Sequence, residues 1–597
     1  MKRLMRMALA VALAALLPAS FAMAGDQRYA PIVATADELT VVLTGRDMTI
    51  DDVVNIARRG ARVELSPGAR ARSQDAYGLL LEAAAEDVPV YWFNRGAGAN
   101  REVPIFSGDP LSPENAAAIS TRQMAAFRAG AGAGYGPEIG EEELVRAMMA
   151  IRVNTMSYEA ASPQLTQMLI DLLNKRITPV VQSRGTVGEG DLLAMSNIAA
   201  AMVGEGEVYY RGERMPAARA LAAAGLSPLR PFAADDAALT STNAYAVAQA
   251  ALLVSDAGDM LEWADLAYAI DLLGMNSSIT PLSKPVQDNR PFPWLNWDAA
   301  RIMEMIQGSY LFQNDPRRII QDPESMRASA VRQGAAWQAW AELKETVTLS
   351  INSSDHNPAV RPGLTPEDSW ELSTPQMMNY FVRGGKYSGG KSGYILSNAN
   401  WDPYPLANQI EAFTIALANM GVCISQRTER FDSPFFTVLR ASDLLRPEQL
   451  GAGSPGSVDY ATADLWMELQ GLANPVAPSG QAIVANVEDL QAQTRLKVAR
   501  ARHAVDLSLR LIAQDLVVGS FWVELRRMEV PARRFGDAPT AVVASLRSQL
   551  PWPRQATSAY TSSPGAAVYA LLKTKPAQHF FPGGPARPAS RTANRPP

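Results

Sequence analysis

The stretch GKYSGGKS, Gly385 to Ser392, fits the phosphate-loop spacing of glycine, four residues, then Gly-Lys-Ser. Its reading separates two folds. A phosphate loop joins a buried strand to a helix whose first amides face the nucleotide, which would make this an α/β protein. Here Ser392 is followed by GYILSNANWDPYP, and Asn398, Asn400, Pro403 and Pro405 oppose a helix starting at that point. The stretch is read as a loop leading into an asparagine-containing turn, and no nucleotide is assigned to it.

On either side of that loop the dominant pattern is helical. Ile410, Phe413, Leu417 and Met420 recur at spacings of three and four, and Leu509, Ile512 and Leu516 lie in a proline-free run from Asn486 to Arg527. Helices of that length pack as bundles. The expected fold is mainly α, with a long central helical bundle over residues 231–530 and a smaller mixed α/β region over residues 25–230. In the latter, DELTVVL and RVELSPGARA read as short extended pieces around a helical segment, and VPVYWFNRGAGANREVPIF as a strand running into a glycine loop. Residues 531–597 form a C-terminal extension. Its end, PAQHFFPGGPARPASRTANRPP, has little to bury and is expected to be disordered or to lie on a neighbour.

The first residues carry Lys2, Arg3 and Arg6, an apolar run from Met7 to Leu17, and Ala22-Met23-Ala24, which is the layout of a secretory signal peptide over residues 1–24. Export to the periplasm is expected, and no later segment reads as long and apolar enough to span a membrane. Lysine and arginine sum to 55 against 60 acidic residues, scattered along the chain, so a nucleic-acid partner is not expected. One cysteine, Cys423, excludes an intrachain disulfide, and three dispersed histidines offer no metal-site spacing. No Gly-x-Ser-x-Gly elbow supports a serine hydrolase. The acidic run Glu141-Glu142-Glu143 reads as a helix start.

Several polar stretches lie in glycine- or proline-punctuated loops: VYWFNRGAG (Val90 to Gly98), GTVGEGDL (Gly185 to Leu192), QDPESMR (Gln321 to Arg327), INSSDHNPAV (Ile351 to Val360), SNANWDPYP (Ser397 to Pro405) and ANVED (Ala485 to Asp489). Taken in order, from about Asp37 to about Arg527, they resemble the aromatic amino acid lyase family of histidine, phenylalanine and tyrosine ammonia-lyases. Tyr91, Asn94, Gly96 and Gly98 match the family's Tyr-Gly-x-Asn-Thr-Gly-Phe-Gly loop, and QDPESMR its Gln-Asp-Pro-Tyr-Ser-Leu-Arg. INSSDHNP matches Ile-Asn-Ser-x-x-Asp-Asn-Pro, and SNANWDPYP, with Asn400, matches Ser-Gly-Gly-Asn-Phe-His-x-x-Pro. The resemblance implies an ammonia-lyase-like helical fold, a small-molecule aromatic amino acid-like substrate, and a homotetramer whose sites draw on more than one subunit.

Such enzymes expel an amine from the α-carbon and a proton from the β-carbon, using an electrophile, methylideneimidazolone, cyclised from Ala-Ser-Gly within Val-Gly-Ala-Ser-Gly-Asp-Leu. Here the matching text is Val187-Gly188-Glu189-Gly190-Asp191-Leu192, one residue shorter and without the serine. No cofactor is therefore expected. The positions around the amine have changed as well. The family's asparagine aligns with Thr240 in LTSTNAYA, its Gln-Asp-Pro tyrosine with Glu324, its phenylalanine with Trp401, and its Asp-Asn-Pro aspartate with His356. Other matches persist: by resemblance Tyr91 is the base, Arg327 the carboxylate partner, Gln321 a polar contact, and Glu488 the acid of the Ala-Asn-x-Glu-Asp loop.

A good leaving group such as a quaternary ammonium would reconcile the two sets, since a base and a carboxylate clamp then suffice. Ergothionase, a relative that expels trimethylamine from a thiohistidine betaine without the prosthetic group, is the precedent. In this reading Glu189 or Glu324 attracts the cation, Trp401 adds a cation–π face, and Arg95 lowers the pKa of Tyr91. The alternatives are a non-catalytic periplasmic binder or scaffold, and an isomerase, cyclase or addition enzyme using the same base.

Overall fold

The computed structural model describes residues 29–129, 134–446, 449, 458–477, 480–550 and 563–589. Residues 1–24, read from the sequence as a signal peptide, lie outside them, as do residues 590–597. The main helices are α1 (Pro67–Ala85), α2 (Glu142–Thr155), α3 (Leu192–Met202), α4 (Ala244–Met275), α5 (Pro293–Met305), α6 (Ser329–Ile351), α7 (Tyr404–Arg430), α8 (Val458–Leu472), α9 (Thr494–Glu529) and α10 (Pro564–Thr574). Strands form small two- and three-stranded sheets, so the fold is mainly helical as expected. Thr40–Leu43 and Arg62–Leu65 pair in parallel around the short helix Ile50–Ala57, in line with the extended pieces read there.

Helix α4 lies at the centre, packed against α9, α6, α2 and α5, while α7 bridges α6 and α9. It is apolar all round and buried nearly all round, the pattern of a core helix. By length and composition the segment Asp235–Met275 could cross a membrane, contrary to the expectation that nothing after the leader could, but 94% of its apolar window is buried inside the protein. Local chemistry sets several ends. Ser66 and Ser563 cap α1 and α10 by accepting the amides of Ala69 and Ala566, each with proline at the next position. Asn276 closes α4 in the left-handed conformation.

One buried guanidinium fixes the helices relative to each other. Arg427 on α7 meets Asp271 on α4 at 2.6 Å and Asp515 on α9 at 2.5 Å, and donates to Ser329 and Gln333 of α6 at 3.0 Å. Burial and the neighbouring Asp515 carboxylate push Asp271 well above the usual carboxylate range. The space for that carboxyl comes from Gly519, where a Cβ would sit 2.4 Å from its Oδ1. Asp271, Arg427 and Asp515 all lie more than twenty residues beyond the first residues of α4, α7 and α9. Contacts advance together along all three, Gly421 meeting Leu511 before the clamp and Gly274 meeting Phe431 and Trp522 after it, so these helices run the same way, their N-termini about 30–40 Å from the clamp at 1.5 Å per residue. Helix α6 starts at the clamp and returns.

Three sequence expectations differ from the structure. The run read as helical from Asn486 begins as a loop, with Val484, Ala485 and Asn486 all at positive φ, and α9 starts only at Thr494. VPVYWFN forms turns rather than a strand, because Asn94 bonds the backbone of Val88 and Val90 and draws the chain back on itself. The C-terminal segment through Ala589 lies on its own bundle. Arg587 sits 4.8 Å and 5.0 Å over the rings of Trp337 and Trp340 and pairs with Glu262, while Trp297 donates to the Pro585 carbonyl. A guanidinium held by two indole faces and a carboxylate orders a segment whose composition gave no apolar reason for order.

The stretch GKYSGGKS is a loop packed on α1, followed by the strand Gly393–Leu396. The amides of Tyr387 and Ser388 donate to the Glu82 carboxylate at 2.6 and 3.2 Å, so a protein acid already occupies the cradle that a phosphate would need.

Substituting Arg427→Ala leaves two carboxylates buried without their counter-charge, so a loss of about 3–5 kcal/mol is expected. It reads out as a lowered thermal midpoint, with Arg587→Ala, at the bundle surface, shifting it less.

Candidate active site

The N-termini of α3, α4, α7 and α9 meet around the loop 185–191. Gly188, at φ +93°, fits against the first turn of α9: a Cβ there would lie 2.6 Å from the Gln493 amide nitrogen and 2.8 Å from that of Thr494. The Gln493 amide donates to the Val187 carbonyl at 2.8 Å. Asn243, capping α4, accepts from the Gly190 amide at 3.1 Å and donates to the Trp401 carbonyl at 2.8 Å, joining loop, α4 and the start of α7. Asp191, fully buried, accepts from Thr186 and from the Ala246 amide in the first turn of α4. Helix N-termini carry partial positive charge, and acidic side chains gather there accordingly.

Behind the loop, Asp355 accepts from the Thr242 hydroxyl at 3.1 Å and the Asn243 amide at 2.6 Å, and stands 3.9 Å from Arg152, itself paired with buried Glu159. His356 is buried beside them. Desolvation and the Arg152 charge push it down to about 3, so it is a neutral imidazole. Its Nδ1 has no hydrogen-bond partner.

In front of the loop lies a cavity of about 560 Å³ lined by Tyr91, Glu189, Trp401 and Glu488. The structure thus brings four of the residues singled out in sequence to one wall system. Tyr91 accepts from the Gly98 amide at 3.2 Å. Burial, followed by the Glu488 carboxylate, raises its pKa, which differs from the lowered value expected from Arg95; Arg95 turns instead to the Asn94 carbonyl. Burial also raises Glu488. Glu189 is pushed up to about 7 by burial, Glu488, Asp402 and Asp489, and its Oε1 is buried without a partner.

Other expected residues sit elsewhere. Asn94 is buried and shapes the loop that carries Tyr91, and Gly96 is required where a Cβ would approach the Asn100 carbonyl to 2.3 Å. Thr240 is buried, its hydroxyl bonded to the Asp236 carbonyl one turn back, so the loop-facing position belongs to Asn243. Asn400 is exposed, and it is Asn398 that lines the cavity and reaches the His356 carbonyl. Gln321 and Glu324 are exposed and Arg327 bonds the Asp322 carbonyl, at the clamp end of the bundle and outside this chain's cavity. Sequence reading missed Asn243, Asn398, Arg101 and Glu102. Asn243 was within reach, since it directly precedes an alanine-rich helix, where an asparagine cap belongs.

A cavity at the gathered N-termini of a long bundle, with a glycine-held loop at its centre, defines a helical lyase scaffold. A family profile described as aromatic amino acid lyase matches residues 48–548, and the chain belongs to that family. Among curated relatives, the histidine ammonia-lyase of Stigmatella aurantiaca is 27% identical over 513 residues, covering 85% of this chain and 92% of the relative. Solved structures of similar fold include ergothionase from Treponema denticola (TM-score 0.77, 24% identity, 91% of this chain and 99% of that one). Histidine ammonia-lyase from Trypanosoma cruzi is another (TM-score 0.75, 21% identity, 91% and 95%). The family acts on small-molecule amino acids. The loop 187–192 lacks the alanine-serine-glycine from which the family's electrophile forms, so these residues do not fit that group.

Asn243→Ala strands the buried Gly190 amide and is expected to cost about 1–3 kcal/mol. Thr240→Val removes only a bond within its own turn. Parallel thermal unfolding of the two variants checks that Asn243 costs more.

Proposed function

We propose that this chain is a carbon–nitrogen lyase that expels a cationic amine, as a quaternary ammonium, from an aromatic or heteroaromatic amino acid derivative without a prosthetic electrophile. The observation that carries this reading is Glu189, a carboxylate standing in the loop where the family's electrophile forms, facing the cavity with one oxygen unpartnered. Among the described lining residues, four carboxylates (Glu102, Glu189, Glu488, Asp489) face two guanidinium groups, with Tyr91, Trp92, Tyr380 and Trp401 as aromatic walls. Acids and ring faces together suit a cation that donates no hydrogen bond.

A quaternary nitrogen cannot lose a proton, so it always departs as a neutral tertiary amine. Tyr91 takes the β-proton, the C–H electron pair becomes the new Cα=Cβ bond, and the C–N pair leaves with the amine. The products are an aromatic acrylate, the tertiary amine and a proton on Tyr91. The cation in the cavity and the Gly98 amide both favour the phenolate that this step needs, against burial and Glu488. Arg327, Gln321 and Glu324 enter through a homotetramer in this reading, their turn reaching a neighbour's cavity. In this reading residues 1–24 direct the protein to the periplasm, which the basic start and the apolar run from Met7 to Leu17 support.

The test is a panel of aromatic amino acids and their N-trimethyl betaines, followed by acrylate absorbance. Betaines should be turned over and the parent amino acids should not. Tyr91→Phe should slow turnover about 10²–10⁴-fold; undiminished turnover by that variant, or a product of unchanged mass, overturns the reading. Trp401→Leu should weaken betaine binding by about 0.5–2 kcal/mol. The Glu189 carboxyl titrates near 7 and is ionised above it, so betaine affinity should rise with pH through about 7 and level off. In Glu189→Gln that rise should vanish.

A further inference from the structure

A second cavity, of about 590 Å³, lies between α4, α9, α10 and the strand pair Tyr135–Glu138 and Gln182–Arg184, with Arg184, the residue before the loop 185–191, on its wall. Most charges on its wall are already matched. Arg502 pairs with Glu141 at 2.9 Å and His503 with Glu468 at 2.7 Å, while Asp256 holds Arg58 and Asp506 holds Arg510. Two groups differ. Among the described residues, Arg184 and Arg495 make no hydrogen bond or ion pair, and the Nε of Arg495 is buried without a partner. Burial lowers the pKa of Arg495 and the Arg184 charge lowers it further, against Tyr245 and Asp191, which raise it, and both guanidinium groups line the one cavity.

A third polar group points to a ligand. Gln249, only 5% exposed, lines this cavity with its Oε1 unpartnered. Leu144, Leu253, Met260, Leu509 and Leu572 supply an apolar wall beside it. The unpaired acid there, Asp259, is on α4 fourteen residues past Tyr245, about 21 Å along the helix, too far to neutralise the arginines.

We propose that this cavity binds a small molecule with a carboxylate on a mainly apolar body that carries one hydrogen-bond donor, Arg184 and Arg495 holding the carboxylate and the Gln249 Oε1 accepting from that donor. Two guanidinium groups on one carboxylate replace mutual repulsion by charge-assisted hydrogen bonds, which is the arrangement planar donors favour. The site is coupled by construction to the catalytic side. Arg184 directly precedes Gly185, and Arg495 directly follows Thr494, whose amide packs on Gly188. A ligand drawing the arginines together clamps the start of the loop that carries Glu189 and the turn at Gly188. This does not depend on the reaction proposed above.

The probes are 4-phenylbutyrate and inorganic phosphate, titrated calorimetrically into the full-length protein. 4-Phenylbutyrate should bind saturably, at least tenfold more weakly to R184Q/R495Q, and unchanged to R95Q/R101Q, which alters the first cavity. Phosphate should bind more weakly than 4-phenylbutyrate. Without ligand, R184Q/R495Q should unfold at the same temperature as the parent or higher, because a repulsion has been removed. The proposal is overturned by absence of saturable 4-phenylbutyrate binding, by equal affinity in R184Q/R495Q, by phosphate binding as tightly, or by a lowered ligand-free midpoint in that variant.

Discussion

The buried Arg427 guanidinium is the constraint on which the rest of this structure depends. It pairs with Asp271 and Asp515 on two other helices and donates to polar groups on a third, all out of contact with solvent. A charge buried at that depth is tolerable only with its partners in place, so the four helices have one register in which they can pack. That register sends α4, α7 and α9 in the same direction, and their free N-terminal amides arrive together at one end.

What the bundle delivers there is a positive backbone field from several helix N-termini. The loop 185–191 answers it with Asp191 and Glu189. Asp191 is satisfied by an amide and a hydroxyl and serves the structure. Glu189 is not, and it retains an unpartnered oxygen at the cavity wall. Two acids two residues apart thus differ in how far the protein itself satisfies them. The second cavity begins next to the same loop, at Arg184, and Gly185 and Gly188 hold the loop where a Cβ would lie 2.4 Å from Leu193 and 2.6 Å from the Gln493 amide nitrogen.

Much of this was legible in the chain itself. Helical periodicity around Ile410 and Leu509 showed the bundle, and the collinear loops showed the family and brought forward Tyr91, Glu189, Trp401 and Glu488, which meet at one cavity, along with Gln321, Glu324 and Arg327, which lie outside it. The misread positions have physical explanations. Thr240 and Asn243 are both polar and three residues apart, and which one faces the loop depends on where α4 starts. Asn398 and Asn400 differ only by which arm of an asparagine turn points inward. The tail ending at Ala589 looked featureless because its partners, Trp337 and Trp340, lie about 250 residues away.

By itself, then, the sequence determined the helices, the absent cyclising serine and the set of loops, because these are local patterns or direct properties of residue types. The tertiary structure alone decided the direction in which the helices run, the raised pKa values of Tyr91 and Glu189, and the company each arginine keeps. Those depend on desolvation and on charges distant in the chain, and neither exists until the bundle has closed.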